Sequence, residues 1–242
     1  MTQTANHRQG LRSPITASMA ISRWVYISCV AAGATVITAL SWWFAPAILS
    51  FFQSDLIVEA DRLMSDALHG AASHALTSFM TWVSWAHGTA GICVFAAIAG
   101  VAFLRHLKYL PLTFLLLAAA GGLLLNVAVK HAVQRPRPDW RYALQVLETY
   151  RFPSGHAAGA TLFYAVVVIM LWPYLPKVGA RFCLVTTVIS VVLLVALSRI
   201  YLGGHFMTDC LAAVIEALLW LGICLSGASL HPAAVATPRD ET

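Results

Sequence analysis

Charge is what this sequence has least of: only 10% of its 242 residues are Asp, Glu, Lys or Arg, against roughly 25% in an average soluble domain. Together with 60% hydrophobic residues, that scarcity excludes an ordinary water-soluble fold and reads as an integral membrane protein. Clustered cysteine is also missing. Cys29, Cys93, Cys183, Cys210 and Cys224 stand singly in apolar runs, with no CxxC pair and no Cys/His group at metal-ligand spacing. They read as small packing residues, and neither metal nor cofactor is expected. No internal repeat or low-complexity segment occurs. There is no basic patch either. The net charge is +5, but Lys and Arg are scattered at the ends of apolar segments, which suits a membrane surface and argues against nucleic acid.

Long apolar runs are what the chain does contain. A spanning helix needs about 20 predominantly apolar residues, and six segments qualify: 24–44, 88–104, 109–129, 157–171, 182–197 and 210–225. Ala45-Pro46-Ala47 resembles a signal-peptidase site, but the run before it is longer than the ~7 to 15 residues of a signal-peptide core. The first span is therefore expected to remain. The expectation is an all-α polytopic protein with six transmembrane helices, forming one membrane-embedded domain over 1–242 with flexible tails at 1–20 and 228–242.

Basic residues set the orientation. With the N-terminus inside, Arg8, Arg12, Arg23, Arg105, Lys108, Lys177, Arg181 and Arg239 fall on the cytoplasmic side, whereas segment 45–87 outside holds only Arg62. The second half breaks the pattern. Lys130, Arg135, Arg137, Arg141, Arg151 and Arg199 then lie outside, and so many cations in short external segments need another explanation. In segment 45–87, Asp55, Glu59, Arg62, Asp66, His69 and Ser73 recur at helical spacing, with Leu56, Ala60, Leu63, Ala67 and Ala71 on a different face. This predicts an amphipathic helix on the outer membrane surface, between the first and second spans.

Six spans bring segments 130–156 and 198–209 out on the same side, so their polar residues can converge. Lys130, Arg137 and Arg199 supply three positive charges without an equal number of nearby carboxylates, a costly arrangement at a membrane boundary unless an anion is bound. Phosphate suits it: arginine's fork engages two phosphate oxygens and lysine adds a point charge. Ser154 and Gly155 stand where a helix begins, so a hydroxyl and backbone N–H groups can face the same anion. His205 and Asp209 are four apart. If the sixth span starts near Gly204 they share a face, and the carboxylate can orient the imidazole as a nucleophile towards phosphorus. His156, next to Ser154 and Gly155, is the candidate general acid for the leaving oxygen.

These stretches, Lys130 through Arg137-Pro138, Pro153-Ser154-Gly155-His156, and Ser198-Arg199 through His205 and Asp209, resemble the signature of the type-2 phosphatidic acid phosphatase superfamily. These are membrane lipid phosphate phosphatases related to vanadium haloperoxidases. All signature positions match, in order. The resemblance implies a metal-independent lipid phosphatase that forms a phosphohistidine on His205. Lys130, Arg137, Ser154, Gly155 and Arg199 would bind phosphate, His156 would protonate the leaving group, and Asp209 would support His205. It further implies a lipid phosphate or diphosphate substrate at the outer face of a bacterial plasma membrane, with undecaprenyl diphosphate first. Phosphatidylglycerophosphate, phosphatidic acid and lipid A phosphates follow. A serine hydrolase built on Ser154 would have no use for three cations, and an anionic-lipid transporter would not need His205 paired with Asp209.

Other polar residues have plainer readings. Arg135, Arg141 and Arg151 are expected near headgroups or solvent. His69, His74, His87, His106 and His131 read as caps or interfacial residues, and Trp42, Trp43, Trp82, Trp85, Trp140 and Trp172 as interface anchors. Gly155 and Gly159 form a GxxxG that would allow close packing. Glu216, deep in the sixth span, reads as a hydrogen-bonded interior carboxyl.

Overall fold

The computed structural model describes residues 14–106, 114, 116–135 and 150–229, and every regular element among them is helical. Helices satisfy their own backbone polar groups, which lipid cannot do. In chain order they are α1 (Pro14–Trp43), α2 (Ala45–Phe52), α3 (Asp55–Gly70), α4 (His74–Ala86) and α5 (Thr89–His106). There follow a π-helical turn (Leu117–Gly121) leading into α6 (Gly122–Val133), then α7 (Gly155–Leu171), α8 (Val178–Tyr201) and α9 (Met207–Ser229).

Among the described residues four helical stretches are long and apolar enough to cross a membrane: Val25–Trp43, Gly155–Tyr174, Val178–Tyr201 and Met207–Ser226. Helices α4 and α5 make a fifth if they count as one span, although they bend by 56° at His87–Gly88, and Leu117–Val133 is apolar but shorter. The protein is thus an all-helical membrane protein, with four or five crossings by length and composition among the described residues where the sequence suggested six.

Helix α7 lies at the centre, packed against α5, α6, α8 and α9. Its first half, GHAAGATL, is made of small residues, and Ala157, Ala158 and Ala160 are fully buried. Lipid tails are as apolar as leucine, so packing here rests on close fit more than on hydrophobic transfer. The glycine that this fit requires is Gly122. A Cβ there would collide with Leu162 of α7 and stand 2.9 Å from Trp220 of α9. At Gly159 a Cβ would meet Ile92 and Leu123 at an ordinary 3.8 Å, so the GxxxG spacing is not the determinant. The π-helical turn has its own partner: the Trp220 indole donates to the Ala118 carbonyl at 3.0 Å, using an acceptor that the irregular turn leaves available.

Helix α3 forms where the periodicity placed it, with Asp55, Glu59, Arg62 and Asp66 of the expected polar face exposed, and a further face is buried. Asp61 and Ser65 are buried at 0% and 2% exposure, whereas Leu56 and Leu63 are 86% and 61% exposed. A separate face carrying Asp61 and Ser65 packs inward, and the leucines point away from the bundle. Trp42, Trp43, Trp82, Trp85 and Trp172 are exposed, as membrane-interface anchors are. Trp140 lies outside the described residues.

Candidate active site

Lys130 sits in the last turn of α6, which ends at Val133. Gln134 then takes a left-handed conformation, φ 49°, and turns the chain so that Arg135 points back into the protein. Lys130 Nζ donates to the Pro153 carbonyl and, at 3.5 Å, to that of Tyr150. A backbone bond from Arg151 N to Arg135 O, 3.4 Å, joins the same two segments.

Ser154 caps α7 with extended backbone angles, and its Oγ accepts from Ala157 N at 3.5 Å. Its own N–H donates to the Asp209 carbonyl at 3.1 Å, tying this helix start to the start of α9. Gly155 and His156 therefore open a helix whose free N–H groups and dipole favour an anion. Asn126 Oδ1 lies 3.4 Å from where a Gly155 side chain would begin, and Asn126 Nδ2 donates to Glu216 Oε2 at 2.9 Å. Glu216 is thus the hydrogen-bonded interior carboxyl that its position suggested.

Arg199 lies in the last turn of α8, almost fully buried, and donates through Nη1 to Ser84 Oγ of α4. Its carbonyl accepts from both Gly204 N, 3.0 Å, and His205 N, 3.2 Å, so the loop after α8 wraps over this arginine. Glycines permit the wrap. Gly203 has φ 72°, and a Cβ at Gly204 would lie 2.5 Å from Arg199 Nη2.

His205 and Asp209 do not sit on one helical face. Helix α9 starts at Met207, so His205 precedes the helix and Asp209 turns back to accept from Phe206 N at 2.9 Å. That is the N-terminal half of a capping box. His205 Nδ1 is 3.8 Å from Asp209 Oδ2, beyond hydrogen-bond distance. Two arginines hold the carboxylate instead: Arg135 Nη1 is 2.6 Å from Oδ1, and Arg151 Nε is 2.6 Å from Oδ2. The Arg151 guanidinium also lies 3.7 Å over the Phe206 ring. Expected near headgroups or solvent, Arg135 and Arg151 are only 4% and 2% exposed. Their burial has a physical cause: Asp209 has a buried carboxylate, and buried charge requires partners.

Around His205 the expected groups converge. Arg199, Lys130 and Asp209 are near enough to act on its charge, and His156 has Arg199, His205, Lys130 and His87 within the same reach. Burial and the two cations push the His205 imidazole down to about 4, with the Asp209 carboxylate acting in the opposite sense. At neutral pH His205 is an uncharged imidazole. Arg137 and Arg141 lie outside the described residues. Sequence reasoning missed Ser84 as the support of Arg199, Gly88, whose Cβ would stand 3.5 Å from His156 Nε2, and Asp61. The available signal was the excess of cations in segments 130–156 and 198–209, some of which need buried carboxylates as partners.

Comparison with known proteins gives consistent relatives. The model of the PAP2 superfamily matches residues 111–230. Phosphatidylglycerophosphatase B of Bacillus subtilis (strain 168) is 30% identical over 168 residues, covering 69% of this chain and 82% of the relative. Among solved structures, a transmembrane PAP2-type phosphatidylglycerolphosphate phosphatase from Bacillus subtilis superposes with a TM-score of 0.69 at 24% identity, over 80% of this chain and 96% of that one. LpxE of Aquifex aeolicus superposes with a TM-score of 0.54 at 20% identity, over 73% and 97%. At these identities the two structures establish the fold.

Proposed function

The chain belongs to the PAP2 superfamily and is a membrane lipid phosphatase, and we propose that it cleaves a lipid phosphate ester or diphosphate through a phosphohistidine on His205. The observation that carries this reading is the convergence of Lys130, Arg199 and His156 around His205. The lone pair of His205 Nε2 forms an N–P bond while the bond from phosphorus to the lipid oxygen breaks, and His156 gives that oxygen a proton. His156 then takes a proton from water, which attacks phosphorus, breaks the N–P bond and releases inorganic phosphate. Lys130, Arg137, Arg199 and the N-terminus of α7 at Ser154 and Gly155 stabilise the equatorial oxygens. Asp209 stabilises the imidazolium by charge across 3.8 Å. All the counter-charge assigned here comes from the chain, in keeping with a reaction that needs no divalent ion.

The site lies at the outer ends of the helices in this reading. Taking the bent α4–α5 pair and Leu117–Val133 as one crossing each gives six spans, with α3 lying on the outer surface and Leu56 and Leu63 directed to lipid. The whole chain is one catalytic domain in a bacterial plasma membrane. Phosphatidylglycerophosphate is the first substrate to test, because the 30%-identical relative is named for it. Undecaprenyl diphosphate, first by family analogy alone, comes second. The deciding experiment is phosphate release by the purified protein in detergent, with EDTA present, across these lipids, phosphatidic acid and lipid A. Release from phosphatidylglycerophosphate that is lost in His205→Ala supports the reading. Release that requires an added divalent ion, or that persists in a folded His205→Ala protein, refutes the mechanism.

A further inference from the structure

Asp61 is the one carboxylate among the described residues that is fully buried besides Asp209, and it comes from α3, a helix outside all three signature stretches. Its Oδ1 accepts from Thr208 N at 3.0 Å and its Oδ2 from Thr208 Oγ1 at 2.5 Å. Thr208 is the second residue of α9, so Asp61 caps that helix from 147 residues away in sequence. It satisfies a backbone donor that the helix itself cannot, and places negative charge at the positive end of the dipole.

The same carboxylate reaches Arg135. Arg135 Nη2 lies 3.4 Å from Asp61 Oδ2, while its Nη1 donates to Thr208 Oγ1 at 3.0 Å and to Asp209 Oδ1 at 2.6 Å. One guanidinium therefore spans both acids, with Thr208 bridging them a second time. We propose that Asp61 is a positioning residue for phosphoryl transfer: it fixes the first turn of α9 and shares Arg135 with Asp209, and so sets the orientation and effective charge of the carboxylate behind His205. Without the Asp61 charge, Arg135 acts on Asp209 alone. The carboxylate then gives less support to the imidazolium that forms as His205 attacks. Groups that hold the phosphate are untouched, so the loss falls on turnover and spares binding.

The inference rests on the phosphatase reading above, which wild-type phosphate release and its loss in His205→Ala test separately. Asp61→Asn in the full-length protein in detergent should lower kcat about tenfold, the scale of one hydrogen bond to a charged group. KM and the inhibition constant for inorganic phosphate, both read on ground-state binding, should stay within about twofold. Thr208→Val, a smaller change, should lower kcat in the same sense by a smaller factor, and the double variant should lose less than the product of the two. Wild-type kcat in Asp61→Asn overturns the inference. So does a parallel rise in KM and the phosphate constant, which would mark general damage to the site. If Asp61→Asn does not fold, Thr208→Val decides, and an unchanged kcat there overturns it.

Discussion

His205 and Asp209 face each other at 3.8 Å, Nδ1 to Oδ2, with the carboxylate already held by Arg135, Arg151 and the Phe206 N–H. Asp209 therefore acts on His205 through its field rather than through a hydrogen bond. The two arginines dilute that field. Burial and the cations Arg199 and Lys130 then outweigh it, and the imidazole falls to about 4 instead of rising.

The pH consequence follows in sign. A histidine whose folded pKa is lowered resists protonation in the folded state, while the unfolded chain takes up its proton near pH 6.5. The contribution of His205 to stability is full above about 6.5, declines as pH falls towards 4, and levels off below that. Nitrogen-15 NMR of histidine-labelled protein, with His205 assigned by difference from His205→Ala, should show a neutral His205 ring at pH 5.5. A ring half-protonated near 6.5 would contradict the assignment.

Leaving groups separate the two histidines. His205→Ala should abolish turnover of every substrate, because no N–P bond can form. His156→Ala should cut hydrolysis of a lipid alkyl phosphate by about 10²-fold or more, yet have a far smaller effect on an aryl phosphate whose leaving oxygen needs no proton. Equal losses on both substrates would remove His156 as the acid.

Arg151→Met should destabilise the protein by roughly 3 kcal/mol, as expected for breaking a buried ion pair by removing one partner. The denaturation midpoint in detergent reads this directly. A variant as stable as its parent would mean that Arg135 alone neutralises Asp209.

Sidedness is testable with single cysteines in a cysteine-free background. Gln134 and Gly179 are both exposed and lie on either side of α7. An impermeant thiol reagent applied outside should label Gln134→Cys and leave Gly179→Cys unmodified. Labelling of both from one side would mean that α7 does not cross the membrane.

The sequence by itself determined the class and nominated the candidate reacting groups. Six apolar runs separated by cations, with Lys130, Ser154, Gly155, His156, Arg199, His205 and Asp209 at signature spacing, are local facts of composition and register. They need no knowledge of which helix touches which. Only the tertiary structure decided what surrounds Asp209. Arg135, Arg151 and Asp61 are spread over three segments, and whether each faces lipid, water or a carboxylate depends on how α3, α6 and α9 pack. Linear charge patterns are silent on that point, because a buried charge and an exposed one are spelled alike. The start of α9 was equally hidden: two glycines and a wrapped carbonyl keep His205 outside the helix, so the spacing of four residues does not become a shared helical face.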